Sequence, residues 1–267
     1  MRFADILMAA ATQGGGRDPD VAAYAAASGA TGSYLDAVSV FISAEKASGT
    51  WYLTDDYWPL WAPNATQALT SLKQRRLATA VNSPTFTADR GYAFNGSSQY
   101  IDTGFIPGTH ALVMSTSSVH AEVYELTNVS SSGASFGANS GAGRAIGINA
   151  RNGTAATGSP NMTGGTFTLG TATSVGLTQT GRTGGALSDL YGAKNGVDLS
   201  PAAAATVLGA SLPGHSIFIG AQNNSGAAGQ YRAAEIGFVA CGAALNAAQR
   251  LARSNNVQAM AAVVAGL

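Results

Sequence analysis

The apolar positions of this chain change period twice. In residues 18–80 they recur with helical spacing. Asp18 followed by Pro19 is a helix start, a capping side chain with proline at the first helical position. Over residues 34–47, Leu35, Val38, Phe41 and Ile42 share one face, and Gly49 stops the helix. From residue 81 the pattern shortens to brief apolar runs between Gly, Asn and Ser turns. Strands are predicted at residues 92–94, 100–103, 112–114, 121–126, 145–148, 166–169, 174–177, 186–191, 216–220 and 233–239. Asn95-Gly96 and Lys194-Asn195-Gly196-Val197 are chain reversals. The Gly/Asn/Ser stretches 130–143 and 222–229 read as exposed loops. Helical spacing returns after Asn246, a good cap. Leu245, Ala248, Leu251 and Ala252 form one stripe. Val257, Met260, Ala261 and Val264 form another, giving one helix or two with a break.

Many short strands without intervening long helices predict an antiparallel β-sandwich. The expected layout is an N-terminal attachment arm (1–17), a helical region (18–80), the sandwich (81–245) and a C-terminal helix (246–267). In the arm, Phe3, Ile6, Leu7 and Ala10 fall on one helical face. The apolar run 6–11 is short, Asp5 precedes it and only Arg2 is basic, which reads as an amphipathic anchor more than as a signal peptide. Gly14-Gly15-Gly16 would tether that anchor at a distance. Phe3, Ile6 and Leu7 are therefore the candidate assembly residues. The arm and the C-terminal helix are expected to mediate assembly, and the sandwich to fold without them.

Charge alters the picture. Only 10% of the 267 residues are charged, and 14 basic residues balance 14 acidic ones. No basic block is present to attract nucleic acid. No stretch is long enough to span a membrane. Solubility must come from neutral polar groups or from burial in an assembly. Cys241, the single cysteine, sits in an apolar run and reads as a small buried residue.

Candidate chemistry is sparse. Residues 51–61 hold Trp51, Trp58 and Trp61 with Tyr52 and Tyr57, which is either a sugar platform or a hydrophobic seam joining the helical part to the sandwich. Glu122 and Glu125 are the nearest carboxylate pair, but residues three apart on a strand point to opposite faces. His110, His120 and His215 lack companions at metal-ligand spacing. Gly133-Ala134-Ser135-Phe136-Gly137 matches the nucleophile-elbow pattern, yet lies in a predicted loop without the strand and helix the elbow needs. No catalytic residue is assigned, and the chain is expected not to be an enzyme.

The block running from Gly91 through Phe94, Asn95, Gly96, Tyr100, Ile101 and Thr103 to Gly104 resembles the opening of concanavalin A-like, laminin-G-like jelly-roll domains. Ile217-Phe218-Ile219-Gly220 and Ala234-Glu235-Ile236-Gly237-Phe238 resemble their closing strands. With helical ends, a start at Arg17-Asp18-Pro19-Asp20-Val21-Ala22-Ala23-Tyr24 and a middle at Asn82-Ser83-Pro84-Thr85-Phe86, the chain is similar to a group of phage and prophage virion proteins. The resemblance implies a jelly-roll fold and a virion structural role as a head or tail decoration, fibre or spike subunit, made in the bacterial host cytoplasm. Its partners would be other virion proteins and further copies of itself. The alternative is a glycan-binding module contacting a host surface. No cofactor is expected. Laminin-G-like domains often bind calcium on a rim, which draws attention to Asp189, Asp198, Asn223 and Asn224 near predicted loops.

Overall fold

The computed structural model describes residues 17–141, 145–163, 165–202 and 207–266. The arm residues Phe3, Ile6 and Leu7 lie outside the described residues. Helix α1 (Pro19–Ser28) is capped by Asp18 Oδ1, which accepts from Asp20 N at 2.9 Å, and ends on Gly29 at φ 70°. Helix α2 (Gly32–Ala47) follows directly. A single turn leads into strand β1 (Thr54–Pro59), and then come the short helix α3 (Ala65–Leu69), β2 (Thr79–Val81), β3 (Thr85–Thr87), β4 (Gly91–Ala93), β5 (Tyr100–Asp102) and the one-turn helix α4 (Pro107–His110). The middle of the chain supplies β6 (Val119–Glu125), β7 (Phe136–Asn139), β8 (Ala145–Asn152), β9 (Ala155–Thr163), β10 (Phe167–Gly170), β11 (Gly176–Arg182), β12 (Leu190–Lys194) and β13 (Val197–Leu199). The last elements are β14 (Val207–Leu208), β15 (Phe218–Ile219), β16 (Gln222–Asn224), β17 (Ala227–Gly229), β18 (Glu235–Gly242) and helix α5 (Ala247–Val264).

The protein is a mainly β, antiparallel sandwich of two sheets. The eight-stranded sheet runs β13-β12-β11-β6-β18-β4-β3, with β1 also on β18. The ten-stranded sheet runs β10-β9-β8-β7-β15-β5-β2, with β14 on β9 and the β16–β17 hairpin beside β7. The β16–β7 ladder is parallel. Inward residues alternate with outward ones. Ile146, Ile148 and Ala150 on β8, Phe136 and Ala138 on β7, and Val119, Ala121 and Val123 on β6 are all buried in one core. Gly158 faces Thr180 across the gap, where a Cβ would come within 2.7 Å of the threonine methyl.

A third layer, helical, covers the outer side of the eight-stranded sheet. Phe41 of α2 meets Tyr57 of β1 and Phe238 of β18 edge-on, with centroids 5.7 and 5.9 Å apart. Trp61 stacks on Phe238 at 5.7 Å, over Gly237, where a Cβ would collide with the indole. Each fully buried side chain of this size contributes about 1.5–3 kcal/mol before ordering costs. The aromatic stretch 51–61 is thus the seam that joins helices to sheet, with Trp51, Tyr57, Trp58 and Trp61 all buried.

Several expectations need correction. The sheet begins upstream of residue 81, because β1 pairs with β18 from Thr54↔Gly242 to Pro59↔Phe238. Asn95-Gly96 does not close a hairpin between β4 and β5. Asn95 Oδ1 accepts from the backbone of Ser97, Ser98 and Gln99, and the chain crosses from one sheet to the other. Residues 112–114 form no strand, because their N–H groups converge on the Asp55 carboxylate. The stretches expected as loops contain β7, β16 and β17, and β9 was missed altogether. Finally, α5 is one helix, and it is not a detachable assembly element. Val257, Met260 and Ala261 belong to the main core and Arg253 is fully buried beneath it. The sandwich is therefore not complete without it.

Candidate functional site

The outer face of the eight-stranded sheet carries a buried ionic cluster under its helices. Even-numbered residues of β6 turn toward the helices. Arg253 of α5 reaches them and joins three elements. Its Nε donates to Glu45 Oε2 of α2 at 2.7 Å, its Nη1 to Glu122 Oε2 of β6, and its Nη2 to Thr54 Oγ1 at 2.6 Å. Tyr57 OH and Thr50 Oγ1 also donate to Glu45, at 3.0 and 2.7 Å, and Asn256 Nδ2 donates to its second oxygen at 2.8 Å. Gln179 Nε2 donates to the free oxygen of Glu122 at 2.9 Å. Burial works against the guanidinium charge, but Glu122 and Glu45 outweigh it and push the arginine further up. One turn earlier, Arg250 forms a fork to Asp198 with both contacts at 2.7 Å.

Glu125, on the opposite side of β6, has its own arginine. Arg232 donates to both carboxylate oxygens at 2.5 and 3.0 Å, and Ser135 Oγ donates to the first at 2.6 Å. Arg232 is further held by Asn149 Oδ1 and by the carbonyls of Arg151 and Val129, at 3.0–3.1 Å. Glu122 and Glu125 thus point apart, as strand alternation requires, and each is consumed by a buried ion pair. Ser135, the centre of the Gly-x-Ser-x-Gly match, is buried as a support of Glu125 just before β7.

The open chemistry lies on the outer face of the ten-stranded sheet. Strands β7, β8 and β9, with the β16 and 230-region backbone at their side, floor a groove of about 540 Å³. Its lining includes Asn139, Gly147, Thr157, Ser159, Gln222 and Gln230. Among the described residues the lining holds no charged and no aromatic side chain. Cross-strand register explains the grouping. Gly137 pairs with Gly147 and Gly147 with Ser159, while Asn149 pairs with Thr157. Glycines at the two central positions keep the floor low, and Gln222 lies over them: its Cγ would be 3.6 Å from a Cβ at Gly137. Asn149 is committed to Arg232 and to Ser131 O, so it braces the floor. Carboxamide and hydroxyl groups of this kind bind neutral polar ligands through paired donors and acceptors.

The other residues noted from sequence do not meet here. His110 Nδ1 accepts from Ile106 N at 2.9 Å, and burial and then Arg76 lower its pKa. His120 is buried beside Ala243 O, and burial and then Arg253 bring it down to about 3. Asp189 accepts from Ala186 N at 2.7 Å, Asp198 holds Arg250, and Asn223 donates to Ser216 O at 2.9 Å and accepts from Gly226 N at 2.8 Å. Asp189, Asp198 and Asn223 thus each make a local hydrogen bond or ion pair. Among the described residues no three His, Cys, Asp or Glu side chains gather where a metal ion would be held. Cys241 is fully buried, and burial raises its thiol well above the usual range. Among the described residues no helix is long and apolar enough to cross a membrane.

The groove was not read from sequence, because its strands are rich in Gly, Ser and Asn. The usable signal was alternation: Phe136 and Ala138, Ile146 and Ile148 are apolar at every second place, and the residues between them are the glycines Gly137 and Gly147.

No protein-family model matches the chain, and no curated protein matches it. Among solved structures it is similar to domain 4 of AbnA, a GH43 extracellular arabinanase from Geobacillus stearothermophilus, in complex with arabinotriose. Identity is 12% and the TM-score 0.47, over 76% of this chain and 98% of that one. It is also similar to Trypanosoma rangeli sialidase in complex with sialic acid, at 12% identity and a TM-score of 0.43, over 79% of this chain and 32% of the sialidase. A mutant of the sialidase displaying trans-sialidase activity gives 15% and 0.42, over 85% of this chain and 39% of that one. The chain therefore spans well under half of the sialidases' length. The expectation that it is not an enzyme is corrected by these findings: the similar structures are an arabinanase domain and sialidases, all belonging to enzymes, and that exclusion is withdrawn. At such identities, and with TM-scores below 0.5, the likeness carries no particular activity to this chain.

Proposed function

We propose that this protein is a glycan-binding module that presents the outer face of its ten-stranded sheet, carried as a structural component of a phage or prophage particle. The observation that supports binding is the groove itself, an open trough of carboxamides, hydroxyls and glycines among the described residues, free of charge and floored by regular strands. Neutral sugars offer the matching hydroxyl pattern, and a rigid sheet lowers the ordering cost of presenting donors and acceptors. The particle setting rests on the residue blocks that resemble virion proteins, and on a charge-poor composition suited to burial in an assembly.

The test is a glycan array probed with the full chain, followed by calorimetry on the best ligand. Retention of a neutral oligosaccharide is expected. The double variant Gln222→Ala/Thr157→Val should weaken it about tenfold or more while leaving the melting temperature unchanged. Absence of any retained glycan, or equal binding by the variant, would overturn the reading. The setting is checked separately, by mass spectrometry of purified particles for peptides of this chain.

A further inference from the structure

Beside the groove stands an aromatic ledge. Phe218 of β15 pairs with Gly137 on one side and Asp102 on the other, so it faces outward on the same row as the groove floor. It is nonetheless only 4% exposed. Tyr100 stacks on it with centroids 4.4 Å apart and planes 29° from parallel, and Tyr231 lies 6.4 Å from Tyr100. Both tyrosines are half-buried and keep part of their rings in solvent. Gln230, which lines the groove, immediately precedes Tyr231, and the backbone of Tyr231 packs on Gly133. Between the ledge and the trough the row consists of Gly137 and Gly147, with the groove-lining Gln222 side chain over them.

Resting on the glycan-binding reading above, we infer that the ligand is an extended chain of several sugar units that lies across the strands, with one end in the amide-lined trough and the other on Tyr100 and Tyr231. The row runs through β5, β15, β7, β8 and β9. Four steps at roughly 4.8 Å give a path of about 19 Å, far longer than one sugar ring. The two ends suit different parts of such a chain. Carboxamides and hydroxyls meet its hydroxyl edges, and aromatic faces meet the apolar C–H faces of its rings.

The experiment is calorimetry on the intact chain with one neutral oligosaccharide series, from the monosaccharide to the hexasaccharide, using the sugar retained on the array. For the wild type, affinity should rise about tenfold or more from the shortest ligand to the longest. Tyr100→Ala and Tyr231→Ala should lose that gain and keep the affinity for short ligands within about twofold. Tyr100→Phe and Tyr231→Phe, which keep the rings, should retain the gain, and this separates stacking from misfolding. If affinity is already complete with the monosaccharide and the alanine variants match the wild type, the extended-chain inference is overturned while glycan binding stands. If no member of the series binds the wild type, both fall together.

Discussion

The two outward faces of this sandwich treat polar groups in opposite ways. On the eight-stranded sheet the face is covered by α2 and α5, and it holds a buried, cross-linked charge cluster: Glu122, Glu45 and Arg253 are all fully inaccessible. On the ten-stranded sheet the groove face is open, and its polar side chains are neutral among the described residues. A buried charge is tolerable only with a partner, and each arginine on the covered side has a carboxylate within reach. An open face needs no such pairing and leaves its carboxamides and hydroxyls available to a ligand. Five charged residues, Glu45, Glu122, Asp198, Arg250 and Arg253, tie the helices to this sheet.

The sharpest way to break this contrast is at Arg253. Arg253→Met leaves Glu45 and Glu122 buried without their cation and should cost about 3–5 kcal/mol in urea unfolding. Replacing all three at once, as Glu45→Leu/Glu122→Leu/Arg253→Met, should recover part of that loss, since no charge is then left unpaired, although Tyr57, Thr50 and Gln179 lose their carboxylate acceptors. A single-variant loss below about 1 kcal/mol would mean that the covered face is not charge-locked.

Acid should act next, and on the same face. His120 titrates at about 3 in the folded protein against a usual 6.5, because burial and then Arg253 disfavour the imidazolium. The folded state therefore binds the proton less readily than the unfolded chain. This contribution is fully present above about pH 6.5 and is lost as pH falls toward 3. Near pH 4.5 it amounts to about 2–3 kcal/mol. His120→Gln should flatten the stability profile between about pH 3 and 6.5 relative to wild type, as followed by thermal melts. Parallel profiles would place the acid sensitivity elsewhere.

A smaller effect is expected at the start of α5. Asn246 and Gln249 form a reciprocal capping box, with Asn246 Oδ1 accepting from Gln249 N at 2.9 Å and Gln249 Oε1 from Asn246 N at 3.0 Å. Asn246→Ala should cost about 1 kcal/mol, well short of Arg253→Met, because the helix is held chiefly by what lies beneath it. The open face should respond least. Gln222→Ala and Thr157→Val are expected to change stability by no more than about 0.5 kcal/mol each. A larger loss at either would show that the groove residues support the fold, and would remove the distinction between the two faces.

Local signals in the chain were reliable wherever a local cause sufficed. The Asp18-Pro19 start, the Asn246 cap and the Asn195-Gly196 reversal all appear where the sequence places them, the last with both residues at positive φ, 51° and 78°. The opposed directions of Glu122 and Glu125 follow from alternation on one strand. The groove was poorly legible, since β7, β9 and β16 carry small polar residues whose own preference is for turns, and neighbouring strands impose the extended state on them.

The sequence by itself determined the class of this protein: brief apolar runs, abundant turn residues and helical ends make a mainly β sandwich with flanking helices. It also determined that charge would be scarce. Only the tertiary structure decided where the few charges would be spent, because Glu45, Glu122 and Arg253 are separated by 77 and 131 positions in the chain, and no local pattern relates them. It likewise decided that Asn95-Gly96 would pass between sheets instead of closing a hairpin, and that residues from β7, β8, β9 and β16 would share one face. Periodicity states which side chains point together along one strand. Which strands lie side by side is settled by packing across the whole molecule, and a site assembled from several strands exists only once that packing is complete.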